Sequence, residues 1–569
     1  MTYSQALEPY YTAFLTHPSR VFLHYHYLDA RDRRQVREIT REAFWIQALR
    51  AATLMRKKGL RRGDKVLHCF GANHPADLFF RLASAMTGTV PATVNWQADG
   101  LEQVQYKIDL TGARLVLHDD WFDAELLEAI KKQNPSLQFF PVRLLPDQDT
   151  MASDDFEHEL GEDDPKIVIF TSGTTGRPKG AQHSYRGYKA NAQTFDSFLE
   201  LSGANRFAAI TVNPLHHANT TAISDWCLRH PAAQLHLIQR YSTTFWETLT
   251  EIVSRNYERV IVPATARHFD FLDNLDREKR LTVDRERLCS AMGKCQFLIG
   301  SAPVGPTTVK RLRHYAGGIP TVRFGSTETC LQVMGIPNSF DEDRKLAAFR
   351  RGWEHNGGEQ AGYYIGREHH PYTEVRVVRS IEAGQPGYME NCEAGETGYL
   401  ITAGANLMRE YLANPQATWE VFEGPWYKGL KDVGFYLISP EDGERDFYWM
   451  SRESNLLIRG GANYSCEQIA NHLGAELVKA GIVAAGSMEL AVVGLKVKSE
   501  HEDSCCLTIH FKDGGTPELE QKITKHLRTI KPKGFRPDYL RFASIPHNFK
   551  GAVIVPELTS DFREWLKHG

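Results

Sequence analysis

IVIFTSGTTGRPKG, residues 167–180, joins an apolar run that favours a β-strand to a loop rich in glycine and hydroxyl side chains. Glycines let backbone N–H groups approach phosphate oxygens, hydroxyls add neutral donors, and Lys179 supplies a positive charge on a flexible stem. The loop lacks the Gly-Lys-Ser/Thr ending of a Walker A motif, which disfavours a P-loop kinase or ATPase. The candidate phosphate contacts are Thr171, Ser172, Gly173, Thr174, Thr175, Gly176 and Lys179.

This stretch resembles the nucleotide-phosphate loop of adenylate-forming enzymes, the superfamily of acyl-CoA synthetases, luciferases and the adenylation domains of peptide synthetases. The match extends from Thr171 through Gly180 and follows a predicted strand. The resemblance implies an α/β fold: a large N-terminal domain of two doubly wound sheets plus a small β-barrel, with a mobile α+β C-terminal domain. It also implies that ATP, Mg²⁺ and coenzyme A take part in the reaction.

Length and composition are those of a globular protein with more than one domain. A chain of 569 residues is too long for one hydrophobic core. The net charge of −3 gives no reason to expect a nucleic-acid partner. The nine cysteines are scattered without a Cys-x-x-Cys pair, which favours reduced thiols and no zinc site. With neither a secretory signal nor an apolar run of membrane-spanning length, we expect a cytoplasmic protein with no membrane span.

The chain before the loop alternates helix and strand patterns. Residues 39–57 have the periodicity of an amphipathic helix. A strand is expected within residues 63–70, then a helix from Pro75 to Thr87 ending at Gly88, and a second strand at residues 89–94. This spacing predicts βαβ units and a parallel sheet.

A second motif, Gly325-Ser326-Thr327-Glu328, resembles the family's Tyr-Gly-x-Thr-Glu sequence, with Phe324 in place of the tyrosine. The resemblance implies that Glu328 binds magnesium and that Thr327 contacts the α-phosphate. It also implies that Phe324 packs on the adenine, next to Gly325. Magnesium prefers oxygen ligands, which suits a carboxylate. A helix N-terminus capped by Ser326 or Thr327 would explain the same local sequence.

Two further segments resemble the family's nucleotide and acyl pockets. Gly300, Ser301 and Ala302 follow a predicted strand, and small residues allow an adenine ring or acyl chain to lie against the backbone. His217 follows the predicted strand 207–212 and falls where relatives with carboxylic-acid substrates often carry histidine; a structural histidine is the alternative. Amino-acid-activating relatives usually place an aspartate hereabouts. The nearest downstream acid, Asp225, is not at the matching place, which disfavours an amino-acid substrate.

The segment Trp426–Gly434 resembles the family's Trp-x-x-Thr-Gly-Asp-x-Gly. Asp432 matches the acid that accepts hydrogen bonds from both ribose hydroxyls, and Arg452 matches a ribose and phosphate contact. Leu430-Lys431 replaces the usual Thr-Gly, and the spacing from Trp to Asp is longer by one residue. An exposed turn aspartate and a surface arginine are the alternatives.

The resemblance places a domain boundary near residue 450. Residues 1–450 would form the adenylation domain, which holds the ATP and acyl pockets, and residues 451–569 the small C-terminal domain, with Ser454 at the hinge position. Lys550 is the candidate catalytic lysine. Alignment on Pro546 and Gly551 puts Ala552 at the lysine position, so Lys550 is a displaced candidate and a solvated lysine is its alternative.

The resemblance implies an AMP-forming acid–thiol ligase. A carboxylic acid would react with ATP to give an acyl-adenylate, and a thiol, first of all that of coenzyme A, would then displace AMP. Three alternatives stay open: an acyl-AMP ligase that loads an acyl carrier protein, an amino-acid-activating enzyme, which the lack of the ammonium-binding aspartate disfavours, and a non-catalytic nucleotide-binding relative. Elsewhere, residues 338–362 carry a charge run that predicts an exposed segment, with Arg350 and Arg351 on a solvated face.

Overall fold

The computed structural model describes residues 6–145, 150–151, 156, 160–171, 178–201, 206–300, 303–358, 361–452, 455–459, 462–497, 503–512, 514–530, 533–547 and 552–568. In the first part of the chain the helices are α1 (Glu8–Leu15), α2 (Arg41–Lys57), α3 (Pro75–Thr87), α4 (Leu101–Thr111) and α5 (Ala124–Gln133). The strands are β1 (Val21–Leu28), β2 (Arg34–Thr40), β3 (Lys65–Cys69), β4 (Val90–Thr93), β5 (Leu115–His118), β6 (Gln138–Pro141), β7 (Pro165–Phe170) and β8 (Gly180–Ser184).

The middle of the chain continues the alternation of helices and strands. Its helices are α6 (Tyr185–Phe198), α7 (Ala218–Arg229), α8 (Phe245–Val253), α9 (Ala266–Arg277), α10 (Arg285–Met292) and α11 (Pro306–Ala316). Its strands are β9 (Phe207–Thr211), β10 (Ala233–Ile238), β11 (Arg259–Ala264), β12 (Cys295–Ile299), β13 (Thr321–Phe324) and β14 (Met334–Gly335).

A mostly antiparallel region follows. It contains α12 (Glu342–Trp353), α13 (Pro415–Val421), β15 (Tyr363–Glu368), β16 (Thr373–Val378), β17 (Gly398–Gly404), β18 (Glu410–Tyr411), β19 (Phe422–Glu423), β20 (Trp426–Tyr427), β21 (Asp432–Ile438) and β22 (Arg445–Arg452). The last part of the chain contains β23 (Leu456–Arg459), β24 (Ala462–Ser465), α14 (Cys466–Lys479), β25 (Met488–Leu495), β26 (Ser504–Phe511), α15 (Pro517–Leu527), β27 (Tyr539–Phe542) and α16 (Val555–His568).

Two large sheets carry most of these strands. One has seven strands in the order β18-β8-β7-β4-β3-β5-β6, of which β3 to β7 are parallel, as the βαβ spacing predicted. The other has fifteen strands: β1, β10, β9, β11, β12 and β13 pair in parallel, β2 adds antiparallel to β1 at one edge, and the antiparallel strands β14 to β22, apart from β18, extend the sheet at the other. The last part of the chain has its own sheets, β23-β24 and β25-β26-β27.

Helices α6 and α7 pack between the two large sheets. Ala218 and Ala222 of α7 share an apolar cluster with Ile167 and Ile169 of β7. On the other side, the Trp226 ring of α7 stacks on Phe207 of β9, with ring centroids 4.7 Å apart. Residues at the N-terminal end of α7 therefore face the space where the two sheets meet.

Local signals in the sequence explain several element boundaries. Helix α3 spans Pro75 to Thr87 as predicted, because proline opens it and Gly88 closes it with a left-handed φ of 68°. Helix α2 begins two residues later than predicted. Ile39 and Thr40 complete β2, and the Thr40 side chain caps the helix by accepting a hydrogen bond from the backbone N–H of Ala43.

The prediction of an exposed segment at residues 338–362 was wrong in part. The charge run opens helix α12, where Asp341 Oδ1 accepts a hydrogen bond from the backbone N–H of Arg344 at 2.8 Å. Arg351 is not simply solvated, because its Nη2 lies 2.6 Å from Oδ2 of the fully buried Asp446. No helix in the described part of the chain combines the length and the apolar character needed to cross a membrane.

Candidate active site

A β-hairpin holds the two ends of the predicted phosphate loop together. Phe170 at the end of β7 pairs with Gly180 at the start of β8. The Thr171 N–H donates to the Lys179 carbonyl oxygen at 2.9 Å, and Lys179 is exposed at the loop's exit. Five of the predicted loop contacts lie outside the described residues: Ser172, Gly173, Thr174, Thr175 and Gly176.

Tyr411 connects this loop to the second motif. Strand β18 adds to the edge of β8 and places Tyr411 opposite Ala181. Lys179 Nζ lies 4.9 Å from the centre of the Tyr411 ring, and the Tyr411 hydroxyl donates to Glu328 Oε1 at 2.9 Å. Burial and the nearby Glu328 carboxylate raise the pKa of Tyr411, which keeps its hydroxyl a donor. Lys179 and Glu328, which are distant in sequence, therefore share one side-chain neighbour.

The Gly-Ser-Thr-Glu motif forms a turn, not the helix N-terminus that was the alternative. A Cβ on Gly325 would lie 1.8 Å from the Leu331 carbonyl oxygen, so glycine is required there. The Ser326 N–H donates to Thr329 Oγ1 at 2.8 Å. Thr327 and Glu328 follow in this turn, both partly exposed, directly after Phe324 ends β13.

Asp432 is buried at the start of β21, with 5% of its surface exposed. Its Oδ1 accepts a hydrogen bond from Trp449 Nε1 at 2.8 Å and lies 3.5 Å from Arg452 Nε. Burial raises the pKa of Asp432, Arg452 and Trp449 oppose that shift, and Glu328 adds to it. The carboxylates of Asp432 and Glu328 are thus close enough to affect each other's charge. Because Asp432 is buried, the alternative of an exposed turn aspartate was wrong.

The predicted acyl-pocket residues border the N-terminal end of α7. His217 precedes the helix, is partly exposed, and has its ring centroid 4.2 Å from that of His216. Gly300 follows β12, where an added Cβ would lie 3.1 Å from the Arg323 carbonyl oxygen. Ser301 and Ala302 lie outside the described residues.

Asp225 belongs to a buried cluster further along α7. Its Oδ1 is 2.8 Å from Lys166 Nζ, and its Oδ2 is 2.7 Å from Arg229 Nε. The Tyr10 hydroxyl donates to Asp225 Oδ1 at 2.6 Å. These contacts engage the carboxylate fully, which agrees with the sequence interpretation that Asp225 does not hold a substrate ammonium group.

The segment that carries the candidate lysine begins and ends in a short antiparallel bridge. His547 pairs with Val553, and the Ile554 N–H donates to the Pro546 carbonyl oxygen at 2.9 Å. Ala552 is exposed. Lys550 and the predicted hinge residue Ser454 lie outside the described residues.

Comparison with known proteins supports the resemblance. A family model described as AMP-binding enzyme matches residues 12–412, more than half of the chain. A feruloyl-CoA synthase from Amycolatopsis sp. is 26% identical over 441 residues, covering 74% of this chain and 75% of the relative. A crotonobetaine/carnitine–CoA ligase from Escherichia coli is 24% identical over 543 residues, covering 90% of each.

The solved structures agree on the fold. O-succinylbenzoate coenzyme A synthetase (MenE) from Bacillus subtilis, in complex with ATP and magnesium ion, aligns with a TM-score of 0.72 at 19% identity. The alignment covers 97% of this chain and 99% of that one, and at this identity it shows the fold alone. It confirms the predicted α/β fold, and the family model confirms the predicted resemblance to adenylate-forming enzymes. The chain therefore belongs to the AMP-binding enzyme family.

Proposed function

We propose that this protein is an AMP-forming acid–thiol ligase that converts a carboxylic acid into its coenzyme A thioester. The observation that carries the proposal is that Lys179 and Glu328, from two distant segments, both contact Tyr411, while the charge of Glu328 also acts on the buried Asp432. The two relatives described above are named as a feruloyl-CoA synthase and a crotonobetaine/carnitine–CoA ligase. These names favour coenzyme A over an acyl carrier protein as the acceptor.

The described residues fit a magnesium nucleotide. No group of three or more His, Cys, Asp or Glu side chains that could hold a metal occurs in the part of the chain that the structure describes. Magnesium bound to a nucleotide keeps waters and phosphate oxygens as ligands and needs only one or two protein carboxylates. Glu328 would hold the ion, which would neutralise charge on the phosphates when bound.

The other site residues would position the nucleotide. We propose that the loop from Thr171 to Lys179 holds the β- and γ-phosphates and that Phe324 and residues 300–302 border the adenine. Asp432 would accept hydrogen bonds from the ribose hydroxyls, because the Trp449 contact fixes the orientation of its carboxylate. Arg452, 3.5 Å from Asp432, would add a contact to the ribose and phosphate.

The reaction would proceed in two displacements. An oxygen of the substrate carboxylate attacks the α-phosphorus, the bond to the bridging oxygen breaks, and pyrophosphate leaves. The thiol sulfur then attacks the acyl carbon, and AMP leaves as the carbon–oxygen bond breaks. Thr327 and Lys550 would stabilise the charge that develops on the α-phosphate, while His217 borders the acid.

We further propose a division into an adenylation domain, residues 1–450, and a C-terminal domain, residues 451–569, hinged at Ser454. The described strands β23 to β27 pair only with one another, which supports a separate unit. All nine cysteines are free thiols, which supports a reducing, cytoplasmic location for the activity.

Substitution Glu328→Gln tests the metal assignment. We expect the rate of ATP–pyrophosphate exchange to fall by about a hundredfold, since removing one charge-stabilising group at a reacting phosphate has effects of this order. The apparent magnesium affinity should fall as well. Glu125→Gln, an exposed glutamate of α5, is the matched control and should behave as wild type. An unchanged magnesium titration in Glu328→Gln would remove Glu328 from the site.

Substitution Lys550→Ala tests the displaced lysine. Adenylation should fall by about a thousandfold because the developing charge loses its counter-ion. Thioester formation from supplied acyl-adenylate should stay near the wild-type rate. Equal losses in both half-reactions would contradict the assignment of Lys550 to the adenylation step.

A further inference from the structure

The guanidinium group of Arg323 is buried, and no described residue gives it an acidic partner. Arg323 lies in β13 with 4% of its surface exposed. Its Nη2 donates to Asn219 Oδ1 at 2.7 Å, whereas Nε and Nη1 have no hydrogen-bond partner among the described residues. Burial lowers the pKa of Arg323 to about 9, so the group stays charged at neutral pH. A buried cation without a counter-charge carries a large desolvation cost, which a bound anion would offset.

Two other buried arginines are held differently. Nη2 of Arg41 donates to the carbonyl oxygens of His230, Pro231 and Ala233, and its guanidinium lies 4.8 Å from the centre of the Phe22 ring. Arg541 donates to Thr508 Oγ1 and lies 4.8 Å from the centre of the Phe562 ring. Arg41 also lacks an acidic partner among the described residues, and its Nε and Nη1 have no hydrogen-bond partner there, but three carbonyl oxygens and two aromatic rings surround its guanidinium. Arg323 has a single neutral amide in their place, and it lies beside the candidate site.

Glycines flank Arg323 on both sides, one in the neighbouring strand β14 and one directly after β12. Gly335 of β14 pairs directly with Arg323, and Gly300 follows β12 on the other side. A Cβ on Gly300 would lie 3.7 Å from Arg323 Cγ, and a Cβ on Gly335 would lie 2.8 Å from the Phe198 ring. Neither glycine can supply an acid or an amide, and the space at Gly335 is filled by the Phe198 ring and the His369 side chain.

The Arg323–Asn219 pair joins the two segments that the sequence assigned to the reacting groups. Asn219 lies two residues after His217 on α7, and Arg323 immediately precedes Phe324 and the Gly-Ser-Thr-Glu turn. The Asn219 amide fixes the guanidinium through one nitrogen. A ligand held between the acid and nucleotide segments would therefore meet a positively charged, pre-oriented donor.

We propose that Arg323 binds a second anionic group of the acid substrate, so that the enzyme prefers dicarboxylic acids. This inference rests on the proposed ligase function. One carboxylate attacks the α-phosphate, and the other receives charge-assisted hydrogen bonds from Arg323, which are about twice as strong as neutral ones. The second carboxylate supplies the counter-charge that no described residue provides.

Matched acid pairs test the proposal. Butanoate with butanedioate, hexanoate with hexanedioate, and benzoate with the benzene dicarboxylates differ by the second carboxylate alone. AMP release in the presence of coenzyme A gives kcat/KM for each. We expect at least one dicarboxylate to exceed its partner by about a hundredfold, the size typical of a buried charge pair. Higher kcat/KM for the monocarboxylate in every pair would overturn the proposal while leaving the ligase function intact.

Variants separate substrate binding from other roles. Arg323→Met should remove the preference by raising KM for the dicarboxylate, with KM for ATP unchanged. Asn219→Asp should also remove the preference for the dicarboxylate without disturbing the fold, because the new carboxylate supplies the counter-charge to Arg323 from within the protein. Arg541→Met controls for loss of a buried arginine and should keep the preference. A raised KM for ATP in Arg323→Met, with both acids affected equally, would assign Arg323 to the nucleotide and overturn the proposal.

Calorimetric titration of the same acids into wild type and Arg323→Met with AMP present requires no catalysis. If a dicarboxylate binds to wild type and not to Arg323→Met, the result supports the inference, whether or not any acid releases AMP. If no acid releases AMP, the ligase function is rejected instead. If the monocarboxylate and the dicarboxylate of every pair bind with equal affinity, and wild type and Arg323→Met do not differ, the inference is rejected.

Discussion

Helix α7 has a buried positive charge beside each of its ends, and the two are stabilised in different ways. Near the C-terminal end, Asp225 contacts both Lys166 and Arg229, and Lys166 Nζ lies 4.9 to 5.1 Å from the ring centres of Tyr10, Tyr185 and Tyr188. Near the N-terminal end, the Asn219 amide is the hydrogen-bond partner that the described residues give Arg323. The first arrangement is complete within the protein, as expected of a structural cluster. The second has no counter-charge among the residues that the structure describes, as we would expect of a binding site.

Substitution Asp225→Asn gives the largest expected change. Removing the carboxylate leaves two buried cations without their counter-charge, which costs about 3–5 kcal/mol of unfolding free energy. Urea unfolding measures the loss, with Glu102→Gln on the exposed face of α4 as the matched control. A loss no greater than that of the control would mean that the cluster does not stabilise the fold.

The pH dependence of that loss is the second expected effect. Burial raises the pKa of Asp225, but Arg229 and Lys166 outweigh it and lower the pKa to about 2, below its ordinary 3.8. Asp225 therefore contributes its full stability above pH 3.8, and the contribution decreases as the pH falls towards 2. The difference in unfolding free energy between wild type and Asp225→Asn should shrink over this interval. A constant difference would contradict the charge-pairing explanation.

Arg323→Met is expected to change stability least. Replacing an unpaired buried cation by an apolar side chain of similar length removes a desolvation cost, so we expect the free energy of unfolding to stay within about 1 kcal/mol of wild type or to rise. Arg229→Met, which breaks the paired cluster, should lower it by about 3 kcal/mol. Equal losses in the two variants would abolish the distinction between the two ends of α7.

The sequence predicted those parts of the fold that depend on local signals. Pro75 and Gly88 set the ends of α3, and the motif from Phe324 to Glu328 was correctly placed after a strand. The ribose role of Asp432 stays a prediction from its motif, and its burial follows from packing against Trp449, which the pattern does not show.

Contacts between distant segments could not be predicted in the same way. Tyr411 joins Lys179 to Glu328 only because β18 pairs with β8, more than 200 residues earlier in the chain. From the local sequence pattern, Arg323 is predicted only to be one residue of a buried strand. Its missing counter-charge becomes visible only when the strands beside it, both contributing glycine, and helix α7 are assembled. The contact of Arg351 could not be predicted because its partner Asp446 lies about a hundred residues later in the chain.

The central claim, that the chain is a coenzyme A ligase, is tested most directly by identifying its products. Purified protein is incubated with ATP, magnesium and a panel of mono- and dicarboxylic acids, with and without coenzyme A, and AMP and acyl-CoA are quantified by mass spectrometry. We predict AMP release that rises when coenzyme A is added, with one acyl-CoA formed per AMP. Acyl-adenylate that passes only to an acyl carrier protein, or ATP binding without pyrophosphate release for every acid, would contradict the claim.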